Sequence, residues 1–98
     1  VYGVWVWEVA AGKLPEVLEN FANAKAIHEN LGARAEYYSE GLGASSTLHY
    51  LMLFDDWSDM ASFMENAANS EENQRFQANV DPSSATLVRQ ITGRTLPL

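Results

Sequence analysis

Two histidines, His28 and His49, are the side chains of this 98-residue chain best suited to chemistry near neutral pH, because an imidazole can exchange a proton there. His28 falls in the middle of an apolar helical face. Its plain role is a half-buried ring hydrogen-bonded to a neighbour; its functional role is a polar tip reaching a ligand between helix and sheet. His49 lies mid-strand between Leu48 and Tyr50 and needs a partner, which Glu8, Tyr37, Tyr38 or a ligand carboxylate could supply. It is the candidate catalytic base. Glu8, Glu36 and Glu40 qualify as bases only if desolvation raises their pKa, and glutamates at strand ends are mostly solvated. The remaining signal is a set of large, soft side chains: Trp5, Trp7, Tyr37, Tyr38, Tyr50, Met52, Met60 and Met64. Core packing must account for most of them. Together with an imidazole they also suit an apolar ligand carrying one polar end.

Other chemistries find little support. Two histidines without HxxxH spacing, and no paired carboxylate nearby, make no metal-ligand set. Asp55-Asp56 is more economically a helix cap. The chain has no cysteine, and no serine sits in a G-x-S-x-G elbow. Gly41-x-Gly43 begins like a dinucleotide fingerprint, but Ser46 stands at the third glycine position and the segment joins two strands. Six basic residues against thirteen acidic ones give a formal charge of -7. Such a field repels nucleic acid and anionic membrane surfaces. No apolar run approaches the roughly 18 residues that span a bilayer, and Val1 to Val9 lacks the basic start of a signal peptide. A cytoplasmic protein is the default expectation. Hydrophobic content of 47% and charged content of 19% fit one folded domain, expected to span residues 1–98.

The elements that must position these residues read strand, helix, strand, strand, helix, strand. In the first strand, Val1 to Val9, one face carries Tyr2, Val4, Val6 and Glu8, and the other Gly3, Trp5, Trp7 and Val9. Alternation is lost, as in a strand covered on both sides. A turn at Ala10 to Lys13 leads to Pro15 in a first helical turn, with Glu16 complementing the dipole. The helix runs to about Leu31, where Gly32 stops it. Leu14, Val17, Leu18, Phe21, Ala24, His28 and Leu31 form its apolar face, and Glu16, Glu19, Asn20, Asn23 and Asn30 the other side. Ala33 to Glu40 and Thr47 to Phe54 are strands around a hairpin loop at Gly41 to Ser46. Asp55 or Asp56 caps the next helix, whose expected buried stripe is Trp57, Met60, Ala61, Met64, Ala67 and Ala68, with Phe63 on the flank. Ser70 opens a short helix to about Gln77. Ala85 to Thr92 is the last strand, and Gly93 to Leu98 a tail. Right-handed crossovers then give a four-stranded, antiparallel-type sheet of order 4-1-3-2, with the first and third strands central and parallel. Two helices cover one face, so a second copy of the chain is the simplest cover for the other.

Gly12-Lys13, Leu31-Gly32 and the run Leu51-Met52-Leu53-Phe54-Asp55-Asp56-Trp57-Ser58 resemble the dimeric α+β barrel proteins of ferredoxin-like βαββαβ fold. That group includes antibiotic-biosynthesis monooxygenases, stress-responsive barrel proteins and NIPSNAP-like proteins. The resemblance implies an α+β homodimer whose two sheets face each other, with a pocket between sheet and helices in each subunit. Monooxygenases of the group use an Asn on the first strand, a Trp near the second helix and a His beyond it. Trp57 can stand for the Trp. The first strand has no Asn, and Arg75 and Phe76 occupy the neighbourhood of the His, so the resemblance does not carry oxygenase or haem-degrading activity with it.

The expectation is a homodimeric barrel binding a small apolar or amphipathic molecule, fatty-acid-like or aromatic. His28 and His49 would meet its polar end, and Trp5, Trp7, Tyr37, Tyr50, Trp57, Met60 and Met64 would line or orient its body. Binding without chemistry is favoured because no catalytic set is complete, and no cofactor or metal is implied. The rival is a cofactor-independent monooxygenase or isomerase, with His49 as base and Trp57 or Tyr37 orienting an aromatic substrate. A purely structural dimer would have a filled interior.

Overall fold

A computed structural model describes residues 1–41 and 46–97. Seven elements follow in order: β1 (Tyr2–Val9), α1 (Leu14–Asn30), β2 (Arg34–Ser39), β3 (Thr47–Leu53), α2 (Trp57–Asn69), α3 (Glu71–Asn79) and β4 (Ala85–Gly93). The hairpin loop expected at Gly41 to Ser46 falls mostly on residues 42–45, outside the described residues. The strands form one sheet in the order β2-β3-β1-β4, which is the expected 4-1-3-2 order read from the other edge. This is the ferredoxin-like α+β arrangement.

One expected feature is overturned. The central pair β1 and β3 is antiparallel, with Trp5 opposite Tyr50 and Trp7 opposite Leu48. β2 is also antiparallel to β3, so β1 and β2, the two strands joined through α1, are the ones that point the same way. The β2–β3 hairpin reverses the chain, and β3 inserted between them must run against both. β4 pairs antiparallel with β1 on the far side.

Local chemistry explains where the helices start and stop. Pro15 sits in the first turn of α1, where its missing N–H is no loss. Gly32 follows the helix at φ 100°, a left-handed conformation that L side chains resist. Asp56 caps α2 by accepting from the Asp59 N–H at 2.8 Å, and Ser70 caps α3 by accepting from the Asn73 N–H at 3.1 Å. Among the described residues, no helix is long and apolar enough to cross a membrane.

Alternation divides the sheet into two faces. Val9, Leu48, Tyr50, Met52, Ala33 and Ala35 join Val17, Phe21 and Ala24 of α1 and Met60 and Phe63 of α2 in the core, with Trp5 and Trp7 packed against it. The opposite face carries Tyr2, Val4, Val6 and Glu8, paired with Leu53, Leu51, His49 and Thr47 on β3 and with Gly93, Ile91, Arg89 and Thr86 on β4. A bulge at Val88 lets β4 keep its faces in step, because Val6 opposes Arg89 while Trp7 opposes Leu87.

Both helices are rolled slightly from their expected orientation. At about 100° per residue, Met60, Phe63 and Ala67 lie within one narrow sector of α2, and the first two are buried. Trp57, Ala61 and Ala68 lie on its outward flank and are exposed, Trp57 by 48%. Ala67 stands at the middle of that sector, with Phe63 and Met60 on either side. On α1 the same geometry turns Leu18 toward solvent.

Candidate functional site

Between the inner face of the sheet and the helices lies a cavity of about 500 Å³, within the size range of small-molecule sites. Its floor is built by Trp5 and Trp7 of β1, Tyr50 and Met52 of β3, and Ala85 of β4. Val17, Asn20, Phe21, Ala24 and His28 of α1 form one wall; Phe63, Met64 and Ala67 of α2 with Phe76 and Gln77 of α3 form another. Val80, Asp81, Pro82 and Ser84 complete the lining from the segment between α3 and β4. The position of the Trp5 ring depends on Gly3, two residues earlier on the same face. A methyl group there would come within 2.7 Å of the indole.

The polar feature of the cavity is a pair. His28 Nδ1 and the Tyr50 hydroxyl are 2.7 Å apart, a strong neutral hydrogen bond by geometry. Aromatic edges hold both partners: His28 meets Tyr50 and Phe63 with ring centroids 5.4 and 5.6 Å apart, and Phe21 meets Tyr50 at 5.5 Å. Contacts of this edge-to-face kind each contribute about 0.5–1.5 kcal/mol beyond their buried area. Burial lowers the His28 pKa. His28 lies in the last turn of α1. The Tyr50 pKa is pushed up, chiefly by burial and secondarily by the negative charge of Glu29 and by Tyr37. Both partners are therefore neutral near neutral pH.

The other expected site residues divide cleanly. Trp5, Trp7, His28, Tyr50 and Met64 line the cavity. Met60 is buried in the core without lining it. Tyr37, opposite Tyr50 on the neighbouring strand, packs edge-on against Phe21 with centroids 5.9 Å apart and does not line the cavity. Trp57 is turned out. His49 lies on the opposite face of the sheet, where its Nε2 stands 3.0 Å from Glu40 Oε1. Consecutive strand residues must point to opposite faces, so Tyr50 entering the cavity places His49 outside it. The two histidines cannot meet one ligand, and His49, Trp57 and Tyr37 do not converge as an oxygenase or isomerase site. Glu8 accepts from the hydroxyls of Ser46 and, at 2.7 Å, Thr47. These bonds lower its pKa, the wrong direction for a general base.

Sequence reading missed Asn20, which counts as polar but sits three residues after Val17 and four before Ala24, at the edge of the buried sector. It also missed Gln77, Asp81 and Ser84. Ser84 is 2% exposed, and its hydroxyl donates to the Asp81 carbonyl at 2.7 Å, so it closes the turn. Phe76 lines the cavity as a hydrocarbon wall. Among the described residues, no three His, Cys, Asp or Glu side chains come together as a metal site.

Solved structures share this fold. An uncharacterized NIPSNAP domain protein from Burkholderia xenovorans superposes with a TM-score of 0.74 at 21% identity, covering 99% of this chain and 93% of its own. A NIPSNAP family protein with unknown function from Agrobacterium tumefaciens gives 0.74 at 16% identity, with 99% and 91% covered. A second NIPSNAP family protein from Agrobacterium tumefaciens gives 0.71 at 18%, with 95% and 84% covered. At these identities the likeness is one of fold. No family model and no curated protein matches the sequence.

Proposed function

We propose that this protein is a homodimeric small-molecule-binding barrel, each subunit holding an apolar or amphipathic molecule, fatty-acid-like or aromatic, between its sheet and helices. The cavity carries the reading: about 500 Å³ of mostly aromatic and aliphatic lining, with one preorganised hydrogen-bonding pair. A protein whose interior served only packing would not leave that space open, because voids forfeit dispersion contacts. Nothing in the cavity forms a complete nucleophilic or metal-assisted set, so binding is favoured over catalysis.

The dimer part of the reading rests on the outer sheet face. Tyr2, Val4, Val6, Leu51, Leu53 and Ile91 run across it as an apolar band, flanked by Tyr38, 54% exposed. The helices all lie on the other side. A second copy offers a matching band, and the charged residues around it, Arg34, Glu36, Arg89 and Glu8, include both signs. Within one subunit Val6 is buried and the other five are half-buried, so the band is partly open, and open apolar bands mark association surfaces.

Titration with N-phenylnaphthylamine, a neutral apolar dye that fluoresces on leaving water, tests the cavity. Saturable enhancement is expected, lost in an Ala67→Trp variant that fills the space while its melting temperature is maintained. No enhancement, or enhancement indifferent to Ala67→Trp, contradicts the reading.

A further inference from the structure

We infer that the cavity selects a neutral ligand bearing a hydroxyl group, an alcohol or phenol, over carboxylates and ammonium ions, and that the His28–Tyr50 pair reads that hydroxyl. The inference rests on the binding reading above and narrows it. Among the described residues, no lysine or arginine lines the cavity, and Asp81 is the one carboxylate that does. Lys25, one turn before His28, is engaged elsewhere: it donates to the Ala35 carbonyl and lies 3.5 Å from Glu29 and 3.9 Å from Glu36. A carboxylate entering the cavity would lose its water and meet no opposite charge, inside a chain of net charge -7. Fatty-acid-like ligands of the ionised kind are thus disfavoured at their head group. An ammonium ion fares little better at the inner end, where the polar groups are neutral. Asp81 Oδ1 already accepts from the Ser83 N–H at 2.9 Å and the Ser83 hydroxyl at 2.7 Å.

The pair itself points to a hydroxyl. The two neutral rings carry one proton each, and the imidazole tautomer decides whether His28 Nδ1–H or the Tyr50 O–H supplies the hydrogen that joins them. With the proton on Nδ1, Nε2 is an acceptor and the tyrosine O–H is free to donate. With the tyrosine donating to Nδ1, Nε2 carries the remaining proton and donates, while the phenolic oxygen accepts. A hydroxyl both donates and accepts, so it is satisfied by each arrangement. A carbonyl, which only accepts, matches fewer of these placements.

Competition against bound N-phenylnaphthylamine at neutral pH, using decanol, decanoate and decylamine, tests this on the unmodified protein. Decanol is expected to displace the dye at a concentration at least about ten-fold below either ion, and Tyr50→Phe to reduce that advantage about ten-fold, the worth of one hydrogen bond. Decanoate or decylamine matching decanol overturns the selectivity and leaves the binding reading standing. So does a bound dye that none of the three displaces. Selectivity that survives Tyr50→Phe intact overturns the assignment to the pair. A dye that never binds overturns both the inference and the reading beneath it.

Discussion

One imidazole, that of His28, is enclosed by aromatic rings that disfavour its cation, and the consequence is a pH dependence. Because the folded-state pKa lies below the ordinary 6.5, the unfolded chain takes up this proton first as pH falls. The stability that neutral His28 contributes is therefore whole above about 6.5 and drains away as pH drops through the folded value. Glu8 and Asp81, both held below their ordinary pKa by hydrogen bonds from Ser46 and Thr47 and from Ser83, lose their contributions only in the more acidic carboxylate range. Melting temperature should thus begin to fall just below pH 6.5 in the native protein and fall less steeply there in His28→Gln. Parallel curves for the two proteins would remove burial as the controlling force. Gly3 gives a second test at this scale. A Cβ added there lies 2.7 Å from the Trp5 ring, so Gly3→Ala should cost about 1–3 kcal/mol in urea unfolding, as overpacking does. An unchanged midpoint would mean the indole is not fixed where it forms the cavity floor.

Among the elements, α3 is the weakest wall of the cavity. It has no fully buried residue, and Phe76 is its half-buried anchor against the core. Its attachment to α2 is polar: the Asn73 side-chain amide donates to the Ala67 carbonyl at 3.1 Å, and that of Gln74 to the Ala68 carbonyl at 2.8 Å. The second satisfies a carbonyl at the end of α2, while the first adds to the Ser70 N–H that the Ala67 carbonyl already accepts at 3.3 Å. Amides of residues 71–79 should exchange with deuterium well before those of α1, and dye binding should slow them, since α3 closes the site. Ser70→Ala removes the bond to the Asn73 N–H and should cost about 1 kcal/mol; exchange in α3 unaffected by that substitution would contradict the role given to the cap. The boundaries of these elements were legible because their signals are local: Pro15, Gly32, Asp56 and Ser70 act on adjacent backbone. The roll of α2 was not. Alanines at 61, 67 and 68 carry little hydrophobic contrast, so the period admits a stripe centred on Trp57 and Met64 as readily as one formed by Met60, Phe63 and Ala67. Tertiary contacts decide between them: the Phe63 ring lies 5.2 Å from that of Phe54 and 5.6 Å from that of His28.

At the scale of the molecule, β1 was the most legible segment, since a strand apolar on both faces requires cover on both. Right-handed crossovers alone predict parallel central strands, whereas the β2–β3 hairpin reverses the chain and sets β3 against β1. The site was half legible. Residue type marked Trp5, Trp7, His28, Tyr50 and Met64, but alternation, not type, decides which histidine enters the cavity. The proposed dimer predicts that sedimentation finds a two-chain species at micromolar concentration, and that Val4→Lys or Ile91→Lys dissociates it without abolishing the fold. A native protein that sediments as an ordered monomer would leave the outer band unexplained.

The account stands most directly on where a bound molecule sits. A crystal structure of the protein grown with N-phenylnaphthylamine should place the dye against Trp5 and Trp7, with its polar nitrogen toward His28 and Tyr50. Dye found only on the outer sheet face, beside His49 and Val6, or an inner cavity closed by collapsed side chains, would contradict it.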